Sequence, residues 1–137
     1  MLRPIIAMLS LACCVTSQAG EIRVHFTNLS NQSTPVMVAV FATQDQYQTK
    51  HPYRGQKLMA SQNLVADFPA LPPGDYVVAA YQDDNGNGML DRNDEDWPME
   101  PYGFGHRPTF TIGAPSFAQL AIHLENDGTQ ELDLALH

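Results

Sequence analysis

Cysteine is almost absent from this chain. Its 137 residues include two cysteines, Cys13 and Cys14, and both lie in an apolar segment near the N-terminus. From residue 20 onward no thiol can form a disulfide, act as a catalytic nucleophile or ligate a metal. A small domain without disulfides needs another source of rigidity, and a bound metal ion is one such source.

Basic residues are also scarce. The chain has 7 Lys and Arg against 15 Asp and Glu, which gives a formal net charge of −8. This charge disfavours nucleic acids and anionic membrane surfaces as partners, because both attract Lys and Arg. The acidic residues are unevenly distributed, since seven of the 15 lie between positions 83 and 100, where Arg92 is the one cation.

No apolar run is long enough to span a bilayer as a helix, so we expect no transmembrane segment in the mature chain. The run Ile5–Val15 follows the positive charge of Arg3 and precedes Ser17-Gln18-Ala19, whose small residues suit signal peptidase. This pattern predicts a signal peptide over residues 1–19.

The signal peptide implies an exported protein, periplasmic, extracellular or on the outer surface, with residues 20–137 forming a single domain. Ser10-Leu11-Ala12-Cys13 also resembles a lipobox, which leaves a lipoprotein acylated at Cys13 as an alternative.

Short strand-like stretches fill the rest of the chain. Ile22–Thr27 alternates apolar and polar residues, whereas Val36–Ala42 is continuously apolar and typical of a strand covered on both faces. Residues 45–57 have no clear hydrophobic period and predict a loop with one helical turn near Asp45. Residues 101–105 predict a Gly-aromatic loop. The predicted strands are 22–27, 36–42, 63–68, 76–81, 109–112, 117–124 and 131–136. We therefore expect an all-β fold, an antiparallel β-sandwich of about seven strands, immunoglobulin-like or transthyretin-like.

The segment 83–94 matches the spacing of a Ca²⁺-binding loop. Oxygen-bearing side chains stand at loop positions 1, 3, 5, 9 and 12, Gly88 stands at position 6 where the chain must turn, and position 7 offers a main-chain carbonyl. The predicted metal ligands are Asp83, Asn85, Asn87, Met89, Asp91 and Asp94.

Two features separate this segment from a helix-flanked calcium sensor. Position 12 is Asp94 rather than Glu, and the flanking sequence is strand-like before the loop and Trp97-Pro98 after it. We therefore expect a weak, structural Ca²⁺ site between two strands, with Kd about 10⁻⁴ to 10⁻³ M. The alternative is a plain acidic turn, because Asn-Gly pairs form tight turns without any metal.

Other candidate sites are less specific. No two of His25, His51, His106, His123 and His137 have the spacing of zinc ligands. The acids Glu95, Asp96 and Glu100 could serve a hydrolase only as a pair facing a cleft.

Two groups of aromatic residues are candidates for binding, although each also suits a structural role. The basic-aromatic cluster would be a binding surface or the cover of one sandwich edge; it comprises Tyr47, Lys50, Tyr53, Arg54 and Lys57. A second group would stack carbohydrate or cap the core; it comprises Tyr102, Phe104 and Phe117.

Several motifs together resemble one bacterial exported family. They are Val38-Ala39-Val40-Phe41, Leu71-Pro72-Pro73-Gly74-Asp75-Tyr76, Asp83 to Asp91, Tyr102-Gly103-Phe104 and Ala114-Pro115-Ser116-Phe117. In order and spacing they resemble domain of unknown function 2141 (DUF2141), from about Ile22 to Leu136. The turn motifs are also similar to transthyretin-like and carboxypeptidase-regulatory-like sandwich modules. The resemblance implies a periplasmic or outer-surface β-sandwich and no established activity.

These observations favour an exported β-sandwich module that is not an enzyme. We expect it to act in binding, with a protein or carbohydrate partner, or as an envelope accessory. The alternatives are a carbohydrate-active or other hydrolytic enzyme using the acids at 95–100, and a structural envelope component without a metal.

Overall fold

The computed structural model describes residues 18–108 and 112–137, and they form two packed sheets. The strands are β1 Gly20–Thr27, β2 Pro35–Phe41, β3 Arg54–Met59, β4 Val65–Leu71, β5 Gly74–Gln82, β6 Tyr102–Phe104, β7 Ile122–Leu124 and β8 Thr129–Ala135. The helices are short, α1 Gln44–Thr49 and α2 Phe117–Leu120. One sheet has the order β4-β1-β8 and the other β3-β2-β5-β6, with β7 also paired to β5.

The inner faces of the two sheets share one apolar core. Alternate residues of each strand point inward, as the two-residue period of a β-strand requires. The smaller sheet contributes Ile22, Val24, Phe68 and Leu134, and the larger sheet contributes Val36, Val38, Val40, Tyr76 and Val78. The predicted sandwich is therefore confirmed.

The outer face of the larger sheet carries a second, smaller apolar cluster. Phe41 and Val77 lie there beneath Leu120 of α2, and the ring of Tyr47 on α1 packs edge-on against Phe41 at 5.7 Å. This arrangement explains the continuous apolar run of β2, because the helices cover the face that would otherwise meet solvent.

Four local predictions need correction. The helical turn expected near Asp45 is confirmed as α1, but the predicted loop 45–57 also contains the edge strand β3, and the predicted Gly-aromatic loop contains β6. The predicted strand 117–124 begins as α2, because Ser116 and Gln119 form a capping box that starts a helical turn. The pairing of β1 with β8 is parallel, whereas the other strand pairs are antiparallel. Of the strand predicted at 109–112, residues 109–111 lie outside the described residues and Ile112 lies outside the strands.

Both open edges of the sandwich are bridged. On one side, the side chains of Arg54 and Gln56 reach from β3 to main-chain carbonyls of β4, including a 2.7 Å bond from Gln56 Nε2 to the carbonyl of Asp67. On the other side, the main chains of Tyr102 and His137 exchange two hydrogen bonds of 3.2 and 3.1 Å. These contacts satisfy polar groups that an unpaired edge would expose.

Candidate metal site

The acidic loop leaves the larger sheet where β5 ends, next to a buried polar residue. Gln82 is completely buried and points inward. Its Oε1 accepts the N–H of Ser30 at 2.7 Å, and its Nε2 donates to the carbonyl of Asn31 at 2.6 Å and to Thr34 Oγ1 at 3.0 Å. Gln82 therefore fixes the loop between β1 and β2 against the base of the acidic loop.

Asp83 folds the first half of the loop around its own carboxylate. Its side chain is completely buried, and its two oxygens accept the main-chain N–H groups of Asn87 at 3.1 Å and of Gly88 at 2.8 Å. Gly86 and Gly88 both have positive φ, at 74° and 77°, a conformation that glycine adopts without strain. The Asn-Gly-Asn-Gly sequence therefore allows the chain to wrap over Asp83.

Asp91 meets two of the other predicted ligands. The side-chain amide of Asn85 donates to its carboxylate, and the amide of Asn87 donates to both of its oxygens at 2.9 Å. The hydroxyl of Tyr81 adds a 2.8 Å bond to the carbonyl of Gly88. Asp83, Asn85, Asn87 and Asp91 are thus joined by hydrogen bonds in one cluster.

Asp94 lies apart from this cluster. Residues 91–99 form a small hairpin, with Arg92 paired to Pro98 and a 2.8 Å bond from the N–H of Met99 to the carbonyl of Asp91. Asp94 stands exposed in the turn of this hairpin. Met89 is exposed, and its main-chain N–H donates to Asn87 Oδ1 at 2.9 Å.

Glu100 closes the loop from the far side of the hairpin. Its side chain is buried, and its two oxygens accept the N–H groups of Asp84 at 3.0 Å and of Asp91 at 3.1 Å. Asp84 points the other way, toward Ser30, Asn31 and Thr34. These main-chain donors give both carboxylate oxygens of Glu100 the hydrogen bonds that a buried polar group needs.

The sequence indicates that Gln82 has a hydrogen-bonding role, but it does not indicate the role of Glu100. Gln82 follows Tyr76, Val78 and Ala80 at the inward positions of β5, so a polar side chain at that parity signals a hydrogen-bonding role. Glu100 is one acid among seven in its stretch, and the sequence does not distinguish it from its neighbours.

The donor set suits calcium only in part. Within residues 18–108 and 112–137, no three His, Cys, Asp or Glu side chains lie close enough to hold a metal ion. A Ca²⁺ ion here would need the carboxylates of Asp83 and Asp91 together with neutral amide and carbonyl oxygens. Such oxygens are normal Ca²⁺ ligands, and Asn85, Asn87 and the main chain supply them.

Glu100 and His123 have structural partners, whereas Glu95 and Asp96 are exposed. Glu95 and Asp96 are exposed on the hairpin while both oxygens of Glu100 are engaged, so these three acids do not face one another across a cleft. His123 Nδ1 lies 2.8 Å from Asp75 Oδ1, and this contact raises the pKa of the imidazole.

The aromatic candidates are divided between packing and hydrogen bonding. Tyr47 packs on Phe41 and donates its hydroxyl to the carbonyl of Pro115 at 3.0 Å, and burial raises its pKa. Phe104 and Phe117 belong to the outer apolar cluster.

In the described part of the chain no helix has the length and apolar character to span a membrane.

Comparison with known proteins gives one match. Neither the curated proteins nor the solved structures include one that matches the chain. A family model described as uncharacterized protein conserved in bacteria (DUF2141) matches residues 24–132, which include the acidic loop, the strands β2 to β7 and parts of β1 and β8. The resemblance seen in the sequence motifs is thereby confirmed, and the chain belongs to the DUF2141 family.

Proposed function

We propose that this protein is an exported, non-catalytic β-sandwich module that acts in binding or as an envelope accessory, and that its loop 83–94 holds a structural Ca²⁺ ion. The observation that supports the ion is the convergence of Asp83, Asn85, Asn87 and Asp91, which are loop positions 1, 3, 5 and 9. A plain acidic turn would not need its carboxylates and amides directed at one another.

The hydrogen bonds at Asp91 provide a physical route to metal binding. The NH₂ groups of Asn85 and Asn87 surround its carboxylate with partial positive charge, a role that a cation could take over. Rotating each amide by half a turn exchanges NH₂ for oxygen, which Ca²⁺ prefers as a ligand. The ion would then lie between the amide oxygens and the carboxylates of Asp83 and Asp91.

The role of the ion would be to stabilise the fold. The loop joins two strands of the same sheet, and it contacts the segment 30–34 through Asp84 and Gln82. A bound ion would restrain β5, β6 and the segment 30–34, none of which is held by a disulfide. At a free Ca²⁺ concentration about tenfold above Kd, linkage gives about 1.4 kcal/mol of added stability.

Thermal unfolding with Ca²⁺ and with chelator tests this proposal. We expect millimolar Ca²⁺ to raise Tm by on the order of 5 °C relative to EGTA and to give a saturable heat in calorimetry. Equal concentrations of Mg²⁺ should have a smaller effect, because Mg²⁺ demands a regular octahedral site. Identical melting curves in Ca²⁺ and EGTA, with no heat of binding, would establish the metal-free acidic turn instead.

A further inference from the structure

The 91–99 hairpin exposes large apolar side chains to solvent. Trp97 is 63 % exposed and Met99 is 65 % exposed, and Met89, just before the hairpin, is 64 % exposed. Trp97 and Met99 are two residues apart on the returning arm, so they project from the same side of it. We name Trp97 and Met99 the Trp97 patch. Trp and Met are the residue types enriched at protein–protein interfaces.

Hydrogen bonds centred on Asn93 close the turn that carries Trp97. Asn93 Oδ1 accepts the N–H groups of Glu95 at 3.0 Å and of Trp97 at 2.9 Å. The main-chain N–H of Asn93 donates to the carbonyl of Trp97, and its carbonyl accepts the N–H of Asp96, both at 3.0 Å. Because these bonds restrain the turn, docking Trp97 would cost less conformational entropy than docking it from an open loop.

The charge around the patch is negative. Asp94, Glu95 and Asp96 are exposed in the turn beside Trp97. Arg92, the one cation of the stretch, donates to the carbonyl of Asp96 at 2.8 Å and pairs with the Asp96 carboxylate at 3.7 Å. Among the described residues this leaves Asp94 and Glu95 without an ion pair, and an apolar patch beside two such carboxylates complements a surface that carries apolar side chains next to Lys or Arg.

We propose that the Trp97 patch is a docking surface for a cationic amphipathic segment of a partner protein. This names the partner for the binding role proposed above and rests on that role, but it does not require the Ca²⁺ ion, since the contacts that hold the turn are main-chain and Asn93 bonds. The same acidic turn repels anionic lipid headgroups, which makes a membrane surface the poorer fit.

Fluorescence of Trp97 gives a direct test, because it is the only tryptophan in the chain. The full chain is titrated with three short synthetic peptides without aromatic residues. One has a helical pattern of Leu and Lys, one replaces Lys by Glu, and one replaces Leu by Ser. We expect the Leu–Lys peptide to shift the emission to the blue and to saturate. The Leu–Glu peptide should give no shift, and the Ser–Lys peptide should bind at least about tenfold more weakly.

Matched variants separate the patch from general acidity, with binding followed by calorimetry. Trp97→Ser with Met99→Ser keeps every charge and should weaken Leu–Lys binding at least about tenfold. Asp94→Asn with Glu95→Gln should also weaken it. The control, Glu125→Gln with Asp127→Asn, removes two charges beyond β7, which pairs with the start of β5 rather than its end, and should leave binding unchanged.

Several results would overturn the proposal. They are equal binding of the Ser–Lys peptide, undiminished binding by the Trp97→Ser/Met99→Ser variant, or a blue shift with a neutral glucan oligosaccharide and none with the Leu–Lys peptide. Each titration is run in Ca²⁺ and in EGTA. Absence of peptide binding in both, with Ca²⁺-dependent melting intact, rejects the patch alone. Peptide binding in both, with identical melting curves in Ca²⁺ and EGTA, rejects the ion alone.

Discussion

Glu100 Oε2 accepts the main-chain N–H of Asp91 at 3.1 Å, and this bond joins the acidic loop to the segment that follows the 91–99 hairpin. The other oxygen of Glu100 accepts the N–H of Asp84 at 3.0 Å. One buried carboxylate therefore holds the main chain at Asp84, near the start of the loop, and at Asp91, before the hairpin. The loop has a defined shape because of this contact, with or without a metal.

Replacing Glu100 by Gln tests that role. The variant keeps the size of the side chain but turns one acceptor oxygen into an NH₂ donor that faces a main-chain N–H. Because a buried donor without a partner costs about 1–3 kcal/mol, we expect the free energy of unfolding to fall by about that amount. Urea unfolding measures it. Glu125→Gln, on an exposed turn, is the control and should change stability by less than about 0.5 kcal/mol; equal effects of the two substitutions would contradict the role of Glu100.

The two ends of the predicted calcium loop should contribute unequally to metal affinity. Asp91 lies in the hydrogen-bonded cluster, whereas Asp94 stands in the hairpin turn. We expect Asp91→Asn to weaken Ca²⁺ binding about tenfold or more and Asp94→Asn to weaken it less, since the two variants lose the same charge at different distances from the cluster. Calorimetric titration of both variants decides this. A larger loss at Asp94 would mean that the hairpin folds back onto the ion, as the loop template requires.

Gly103 allows β6 to pack against β8. A Cβ atom at this position would lie 2.4 Å from the carbonyl oxygen of Ala135, closer than atoms can approach. We therefore expect Gly103→Ala to destabilise the fold by about 1–3 kcal/mol. Gly55→Ala is a matched control, because its Cβ would meet no atom closer than 3.5 Å. Chemical denaturation should separate the two variants, and a neutral Gly103→Ala would show that the β6 edge can move away from β8 at little cost.

The pair His123–Asp75 predicts a pH-dependent contribution to stability. The hydrogen bond to Asp75 raises the pKa of His123 above its ordinary value, so the folded state favours the protonated imidazole. The stabilisation is then present below the ordinary pKa of His, about 6.5, while Asp75 is ionised, and it is lost as pH rises through the folded pKa.

NMR titration of the imidazole protons tests the sign of this effect. His123 should titrate at higher pH in the natural protein than in Asp75→Asn. The difference in stability between the two proteins should be greatest near pH 5 and should vanish at alkaline pH, where the imidazole is neutral. A His123 pKa that Asp75→Asn leaves unchanged would contradict the ion pair.

The sequence was sufficient for those elements whose signal is local. The alternation of Ile22–Thr27, the apolar runs that became β2 and β5, and the Asn-Gly turns each depend on neighbouring residues, and all appear where the pattern indicates them. It was not sufficient for β3. The segment Arg54–Met59 has no apolar period, and it becomes a strand because β2 offers an edge and because Arg54 and Gln56 reach across to β4.

The side-chain periods and turn residues were enough to predict a β-sandwich and an acidic loop with calcium-loop spacing, because both act over a few residues. The partner of each acid was set by the tertiary structure. It brought Asp91 to Asn85 and Asn87, set Asp94 apart on a hairpin, and buried Glu100 against two main-chain donors. These contacts depend on the path of the chain after the loop, and the spacing of the acids along the sequence does not determine that path.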